Sequence, residues 1–444
     1  MADVVSVVGG GVGEKHQFLL HHNQILDTQT AKNITKLQYP ASNMSWPSSV
    51  VATLLLCQCL CLVVVGAYAP PNTVAPPAIS RATNLPNKIF KWRNFQVRYQ
   101  KALPSVPSKG TAVLVHGLFV NSDHWRYTLK GLAEAGYTAY ALDLLGSGYS
   151  SKPAPSCAES RELVCGELPR FRDNDGIKRN IMLGTAKGGS RIATEIDLKH
   201  PCGSPYNFYT WAEQISDFTE QIVMPETNEK GVTLVSNSIG TISAFQSVLD
   251  RPDLYNGVFV VNPNFRELHS AEIPFSKIAM PVIRSVQSLL RSKGQGLFDA
   301  LAKPSTVKQI LMEPYAISEA VDDELVDVLL TPLLTPGASD VVFDTLSYSS
   351  GPLPEQQLSE DTFPKHKTPV WILYGSEDPW TPGARVEKMA DLESVERVIC
   401  LDGVGHCPHD EAPDMVNPLL MQFMERVREP LLKNVNESMS QKII

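Results

Sequence analysis

Short apolar runs that alternate with helix-compatible segments constrain the fold of this 444-residue chain more than any other feature. The runs are continuous rather than alternating in polarity, and they cover residues 112–115, 138–142, 232–235, 257–261, 370–374 and 398–401. Strands of this kind are buried on both sides, which indicates a mostly parallel sheet with helices on both faces. Residues 90–99 instead alternate around Arg93-Asn94 and predict two short antiparallel strands. The sequence therefore predicts an α/β fold with an eight-stranded sheet.

The third long run ends in a serine that is followed by a helix-compatible segment. Ser238 lies in Val-Thr-Leu-Val-Ser-Asn-Ser-Ile-Gly, residues 232–240, and a helix is predicted from Thr241 to Leu249. A strand, a tight Ser-x-Gly turn and a helix form the nucleophile elbow that is typical of α/β-hydrolases. Ser236 occupies the place of the usual first glycine, and a single serine before a helix is more often an N-cap. The interpretation of Ser238 as a nucleophile therefore depends on partner residues.

Those partners follow two later strands in the chain order of this fold. Asp378 comes after the run 370–374 as the candidate orienting acid, and His406 comes after 398–401 as the candidate base. Glu377 competes with Asp378 but stands one residue early. The backbone N–H groups of Leu118 and Ile239 are predicted to form the oxyanion hole. His116 is interpreted as a structural turn residue rather than a catalytic one.

Two long stretches interrupt the strand pattern. Residues 153–205 are polar with little periodicity and predict an inserted loop. Residues 265–353 contain helix-period segments at the place where a helical cap enters α/β-hydrolases, and some of their apolar side chains are expected to line a substrate cavity. The hydrolase core is then predicted at 89–264 and 354–430, with a flexible tail at 431–444.

The N-terminal region has the composition of a targeting sequence. No Asp or Glu occurs from Thr28 to Ser122, where the average of the chain predicts about ten. An apolar run, 50–65, follows Met44 and precedes a small-residue stretch near Ala67, which indicates a signal followed by a transit-like tract over 44–88. Residues 1–43 are then a dispensable leader. The alternative interpretation of 50–65 is a transmembrane anchor.

Charge and cysteine content point away from several functional classes. The net charge of −8 and the lack of a Lys/Arg cluster argue against nucleic-acid binding. The eight cysteines show neither zinc-ribbon spacing nor a disulfide framework. Cys407 and His409 flank the candidate base, but no further ligands follow at regular spacing, so neither a metal nor an organic cofactor is predicted.

Sequence blocks between about Trp92 and Val427 narrow the family. They are 115–126 (VHGLFVNSDHWR), 142–150, 209–214, 237–240, 351–355, 378–380, 403–408, 410–411 and 415–419. Together they resemble the plastid α/β-hydrolases that include chlorophyll dephytylase and pheophytinase-like enzymes. Thr241 departs from that pattern, because a second glycine usually stands there, and so does the insertion 153–205.

The resemblance implies an activity and a location. It implies hydrolysis of the phytyl ester of chlorophyll by Ser238, Asp378 and His406, in a plastid and with peripheral contact to thylakoid membranes. Three aromatic residues of the blocks, Phe119, Trp125 and Trp380, are predicted to contact the substrate. Pheophytin, another plastid acyl ester, or ligand binding with little turnover stay open as alternatives.

Overall fold

The computed structural model describes residues 3–7, 75–165, 180–201, 203–266, 269–273 and 275–441. Its strands are β1 (Asp3–Val7), β2 (Lys88–Trp92), β3 (Phe95–Ala102), β4 (Thr111–Val115), β5 (Thr138–Leu142), β6 (Ile181–Gly184), β7 (Ser190–Ala193), β8 (Val232–Ser238), β9 (Tyr255–Pro263), β10 (Val370–Gly375) and β11 (Val395–Leu401).

The main sheet has the strand order β1-β11-β10-β9-β8-β4-β5-β3-β2. Every neighbouring pair from β1 to β5 is parallel, and only β3 and β2 join antiparallel at one end. The eight predicted strands are thus confirmed in number and direction. A ninth strand that the sequence analysis did not predict, β1, pairs in parallel with β11 at the other end. That residues 1–43 are dispensable stays a prediction, and only 3–7 of them are described.

Helices connect the strands and cover the sheet. They are α1 (Arg126–Glu134), α2 (Ala158–Cys165), α3 (Phe208–Phe218), α4 (Met224–Thr227), α5 (Gly240–Asp250), α6 (Ser276–Lys293), α7 (Gln295–Leu301), α8 (Pro304–Met312), α9 (Asp323–Leu333), α10 (Ala338–Leu346), α11 (Pro354–Leu358), α12 (Thr362–His366), α13 (Gly383–Lys388), α14 (Pro408–Glu411) and α15 (Pro413–Gln441). Short 3₁₀ turns occupy Ser122–Trp125, Pro252–Leu254, Ser318–Ala320 and Met389–Asp391, and a π-helical turn occupies Thr219–Val223.

The hydrophobic core lies in two layers, one on each face of the sheet. One cluster packs strand side chains against α3 and α5, with Trp211 and Phe245 among its members. The other packs them against α1 and α15, with Leu129 and Phe423. All five residues of β4 and of β5 are buried, which is why these strands appear in the sequence as continuous apolar runs.

The stretch between β9 and β10 is helical, as expected for a cap. It contains α6 to α10 and then α11 and α12. The inner part of this region has its own apolar cluster, in which Leu325 and Leu329 of α9 pack with Val120 and Tyr315. The cap therefore contacts the loop that follows β4.

Two of the predicted boundaries fall within residues that the structure describes. The targeting segment was extended to Lys88, but Ser80 is buried and donates a hydrogen bond of 2.6 Å to Asp123 Oδ1. Asn87 Oδ1 likewise accepts from Arg98 Nε at 2.8 Å. This part attaches through polar side chains, so an apolar pattern does not reveal it. The rest of the segment, 44–74, lies outside the described residues.

The second boundary is that of the flexible tail predicted at 431–444, and its flexibility stays a prediction. Helix α15 continues to Gln441, since residues 431–441 contain no glycine or proline to end it. Only 442–444 of the predicted tail are not described.

The predicted inserted loop, 153–205, contains regular structure where it is described. Its described part forms α2 and an antiparallel hairpin of β6 and β7. Ile181, Leu183 and Ile196 are buried in a small cluster with Tyr209 and Leu353 of the main fold. The apolar residues are too few and too widely spaced to give a periodic signal, yet they suffice to anchor the insertion.

Within the described residues, no single helix has both the length and the apolar character needed to cross a bilayer. The pair α9 and α10, bent by 95°, meets the length and composition test when taken together.

Candidate active site

The three predicted triad residues lie at the same edge of the sheet. Ser238 ends β8, Asp378 follows β10, and His406 follows β11. These strands and β9 are parallel neighbours, so their carboxyl ends meet at one edge, where ligands bind in open α/β sheets.

Ser238 has the backbone geometry of a nucleophile elbow. Its φ is +53°, a left-handed conformation that a serine adopts only when the surroundings impose it. Ile239 then takes helical angles and α5 begins at Gly240. A Cβ at Gly240 would lie 2.4 Å from the carbonyl oxygen of His116, so the turn has room for glycine alone at this position. The sharp turn is thus fixed by close packing of α5 on the end of β4.

The two departures from the usual elbow sequence contact each other. Ser236 stands for the first glycine and Thr241 for the one after Ile-Gly, and their hydroxyls are 3.2 Å apart in a hydrogen bond. Both residues are fully buried. Thr241 therefore does not disturb the start of the helix, because Ser236 satisfies its hydroxyl.

Asp378 and His406 form a buried hydrogen-bonded pair. His406 Nδ1 lies 2.7 Å from Asp378 Oδ2, and the carboxyl side chain has no exposed surface. The other carboxylate oxygen accepts the backbone N–H groups of Trp380 at 2.7 Å and Thr381 at 3.0 Å. With Nδ1–H donated to the carboxylate, Nε2 of the neutral ring is left as the acceptor that a general base requires. Glu377, the competing acid, is exposed.

The charge of Asp378 is stabilised against its burial. Burial raises the pKa of this carboxyl. The charge of His406 and hydrogen bonds from His406, Asn262 and Thr381 lower the pKa by more than burial raises it, so the pKa lies below its usual value. Asn262 Nδ2 donates to Asp378 Oδ2 at 2.6 Å and to the Gly405 carbonyl at 3.2 Å. The sequence analysis missed Asn262; its position in Val-Asn-Pro at the end of a strand was the available signal.

The elbow and the histidine loop are in direct contact. Asn237, next to the nucleophile candidate, donates to the carbonyl oxygen of His406 at 3.2 Å. His406 Nε2 is buried and has no hydrogen-bond partner in the described part of the chain. A buried nitrogen without a partner at a site of this kind calls for a functional explanation.

The predicted oxyanion loop lies against the elbow. A Cβ at Gly117 would lie 3.1 Å from Ser238 Cβ, so Leu118 directly follows a residue in contact with the nucleophile. His116 accepts the N–H of Leu144 at Nε2 (3.0 Å), and its Nδ1 lies 2.8 Å from the Gly117 carbonyl. This geometry agrees with a structural role for His116. The roles of Leu118 and Ile239 in holding an oxyanion stay a prediction.

The three predicted substrate contacts occupy different environments. Trp380 is half-buried, and its ring centroid is 5.0 Å from that of His406. Phe119 is half-buried with a φ of +59° and lines a narrow cleft of about 20 Å³ beside Leu329 and Val341 of the cap. Trp125 is a correction: it has no exposed surface and packs in the core 4.2 Å from the ring of His409, so it does not face a substrate.

A chain of buried polar groups lies behind His406. Tyr315 OH donates to Asp410 Oδ2 at 3.0 Å, and His124 Nε2 lies 2.8 Å from the same hydroxyl. His409 Nε2 lies 3.2 Å from His124 Nδ1. Because the carboxylate only accepts, each proton in the chain must point towards Asp410, and both histidines are neutral. Burial lowers the pKa of His124 to about 3, with Arg126 and two neighbouring histidines adding to the effect.

The same residues attach the cap to the histidine loop. Arg126 Nε donates to Asp410 at 2.8 Å, and its Nη1 donates at 2.9 Å to Asp322, the N-cap of α9. Glu411 accepts the N–H groups of Ala316 and Ile317 at 2.9 and 3.0 Å.

The cap also contacts the backbone of the candidate base. The N–H of His406 donates to Pro314 O at 2.7 Å. The sequence blocks 115–126 and 410–411 contain several of these residues, but their task as cap anchors became visible only in three dimensions.

We expect His124→Gln to change how stability depends on pH. A histidine with a folded pKa near 3 takes up its proton only on unfolding, so it destabilises the fold as pH falls from about 6.5 towards 3. Between pH 8 and pH 5, the free energy of unfolding of the wild type should therefore fall by about 2 kcal/mol more than that of the variant. Urea denaturation at both pH values measures this. The exposed His366→Gln is the control, and parallel curves for wild type and His124→Gln would contradict the assignment of a neutral buried ring.

Comparison with known proteins places this geometry in context. The model of the family described as "Alpha/beta hydrolase family" matches residues 112–419. Chloroplastic pheophytinase of Arabidopsis thaliana is 22% identical over 381 residues, which cover 80% of this chain and 71% of that protein. Bifunctional epoxide hydrolase 2 of Mus musculus is 37% identical over 71 residues, 16% of this chain and 13% of that protein.

Solved structures give the same fold. The epoxide hydrolase VrEH1 from Vigna radiata superposes with a TM-score of 0.51 and 16% identity, covering 78% of this chain and 99% of that one. A membrane phospholipase A, described as a bacterial virulence factor, has a TM-score of 0.50 and 16% identity, covering 86% and 93%. At these identities the superpositions bear on the fold alone.

Proposed function

The chain belongs to the alpha/beta hydrolase family, and from that premise we propose that it is a serine hydrolase of carboxylic esters with Ser238, Asp378 and His406 as its triad. The observation that carries this proposal is the buried pair of Asp378 and His406, with 2.7 Å between Oδ2 and Nδ1. The other ring nitrogen, His406 Nε2, is left unpartnered among the residues that the structure describes, and the backbone of His406 is hydrogen-bonded to Asn237 beside Ser238. Epoxide hydrolases share the fold but attack with a carboxylate, and a serine stands at the elbow here.

Acylation begins with attack of Ser238 Oγ on the ester carbonyl carbon while its proton passes to His406 Nε2. The tetrahedral intermediate carries its negative charge on the former carbonyl oxygen, beside the N–H groups of Leu118 and Ile239. Each such donor contributes roughly 10²–10³ in rate in enzymes of this type. Asp378 stabilises the imidazolium that forms.

Collapse of the intermediate breaks the bond to the alcohol, and the leaving oxygen takes the proton from His406. Water then attacks the acyl-serine with His406 again acting as base, the bond to Ser238 Oγ breaks, and the carboxylic acid is released. The proton taken from Ser238 leaves with the alcohol, and a proton from water replaces it through His406, so the triad is regenerated with water as the co-reactant.

For the substrate we propose the phytyl ester of a chlorophyll-type pigment. Support comes from the similarity to Arabidopsis pheophytinase over 80% of the chain and from the sequence blocks quoted above. A long isoprenoid alcohol requires an apolar pocket. Apolar side chains of the cap, Leu329, Leu333 and Val341, line the cleft beside Phe119, which adjoins the predicted oxyanion loop. With a volume of about 20 Å³ this cleft has to widen before it can take such a chain.

Product analysis tests the proposal. Purified protein is incubated separately with chlorophyll, pheophytin, a galactolipid and a short soluble ester, and the products are separated by chromatography. We expect chlorophyllide or pheophorbide with equimolar phytol. Hydrolysis of the galactolipid alone would assign the protein to the plastid lipases, and one acyl group bound per chain without release would indicate a binding protein.

A plastid location, with the chain at the thylakoid surface, is part of the same proposal. It rests on the acid-free composition of 28–122 and on the chloroplast pheophytinase relative. Imaging of a C-terminal fluorescent fusion tests it, and a signal outside plastids would contradict it.

A further inference from the structure

The cap carries an apolar surface that the other described residues do not cover. Four large apolar side chains of α6 and Phe275 directly before it are between 49% and 84% exposed: Phe275, Ile278, Val282, Val286 and Leu289. Their spacing of three and four residues places them on one face of the helix. The opposite face is anchored, because Met280 is buried and Gln287 Nε2 donates to the Leu346 carbonyl of α10 at 3.1 Å.

The charge of α6 differs from that of the chain. The helix contains four basic residues, Lys277, Arg284, Arg291 and Lys293, and no Asp or Glu, although the chain as a whole has a net charge of −8. Arg284 and Arg291 lie on the anchored face, where Arg284 Nη2 is 4.0 Å from Asp197 Oδ2 and Arg291 bonds to Asp344. Lys293 is exposed and follows Leu289 by four residues, on the apolar face. A helix with exposed aliphatic side chains and a lysine beside them has the composition of a helix that lies in a membrane interface.

Contacts link this helix to the proposed substrate cleft. Arg291 of α6 bonds to Asp344 of α10. Helix α10 in turn contributes Ala338, Val341 and Val342 to the wall of the cleft beside Phe119. A membrane against the outer face of α6 would therefore lie one helix away from the place where a long apolar alcohol is proposed to enter.

We propose that α6 binds the surface of an anionic membrane, with Phe275, Ile278, Val282 and Leu289 inserted among the lipid chains and Lys293 near the headgroups. This deepens the proposed function and rests on it, since it names the phase from which a lipid-soluble ester is taken. Because that ester dissolves in lipid, the occupant of this face is a membrane and not a second copy of the chain.

The test places a reporter on α6 in the full-length chain. Leu289→Trp is compared with Leu103→Trp, because these leucines are 61% and 62% exposed and Leu103 lies before β4, at the other edge of the sheet. Vesicles contain phosphatidylcholine and phosphatidylglycerol with brominated acyl chains, which quench only tryptophans in the lipid. After subtraction of the wild-type signal, we expect at least a twofold loss of fluorescence for Leu289→Trp and none for Leu103→Trp.

This comparison holds whether or not residues 50–65 also bind lipid, since both variants carry them. Lys293→Gln in the Leu289→Trp background should weaken the apparent affinity for anionic vesicles, measured by quenching, roughly fivefold. Equal quenching of the two tryptophans would overturn the proposal. So would a concentration-dependent dimer, seen by light scattering, in which the fluorescence of the Leu289→Trp variant responds to protein concentration and not to lipid.

Failure of this inference is separable from failure of the proposed function. Ser238→Ala combined with Leu289→Trp should bind vesicles and be quenched as before, while losing hydrolysis. Quenching without hydrolysis of any ester by the wild type would contradict the proposed function alone. Hydrolysis of the soluble ester without quenching would contradict the membrane assignment alone.

Discussion

Ser238→Ala is expected to lower kcat for ester hydrolysis by about 10⁶-fold, close to the uncatalysed background. The alcohol oxygen that forms the acyl-enzyme bond is removed, and no other hydroxyl at the elbow replaces it, since Ser236 is bonded to Thr241. Alanine tolerates a φ of +53° no worse than serine, so the fold should persist. Initial rates with the soluble ester measure the loss.

Ser243→Ala is the matched control for this variant. Ser243 is fully buried in α5, the helix that follows the elbow. Its substitution also removes one buried serine hydroxyl from this part of the fold. It should keep activity within a few-fold of the wild type. If Ser238→Ala kept a tenth of the wild-type rate with an unchanged melting temperature, the nucleophile would have to be a different group.

Asp378→Asn is expected to lower kcat by about 10⁴-fold with little change in KM. The backbone N–H groups of Trp380 and Thr381 would hold the amide oxygen in the place of Oδ1. The amide nitrogen would then take the place of Oδ2, which in the wild type lies 2.7 Å from His406 Nδ1 and 2.6 Å from the side-chain nitrogen of Asn262. A donor there forces Nδ1 to accept, so the proton moves to Nε2 and the ring no longer takes the proton of Ser238.

Glu377→Gln provides the comparison, because that exposed carboxylate is the neighbouring acid in the sequence. Its rate should stay close to that of the wild type. Equal losses for the two variants would show that general charge near the site matters rather than the orientation of His406, and an unimpaired Asp378→Asn would remove Asp378 from the triad.

Much of the fold was predictable because buried parallel strands leave a continuous apolar record. The segment 138–142 was predicted with the bounds that the structure has, and 232–235 was predicted three residues short of Ser238. The segments that were misjudged attach by other means. Ser80 and Asn87 bind through single polar contacts, and the hairpin of β6 and β7 is anchored by a few separated apolar side chains.

The same distinction applies to the candidate site. Ser238, Asp378 and His406 were identifiable because each follows a strand and the chain order is typical of the fold. Asn262 and the anchors Arg126, Tyr315 and Asp410 were not, since their partners lie 95 to 284 residues away and no local spacing encodes such contacts. Trp125 was misassigned for a related reason: a motif names a residue but not the direction in which its side chain points.

Local patterns along this chain thus specified the order of strands and helices, the turn at Ser238 and the hydrolase family, because periodicity and turn geometry act between residues that are near in the chain. Folding added what depends on distant partners. It brought His406 Nδ1 within 2.7 Å of Asp378, joined the cap to Asp410 through Arg126, and left one face of α6 uncovered. These contacts arise from packing in three dimensions, where sequence separation carries no information about proximity.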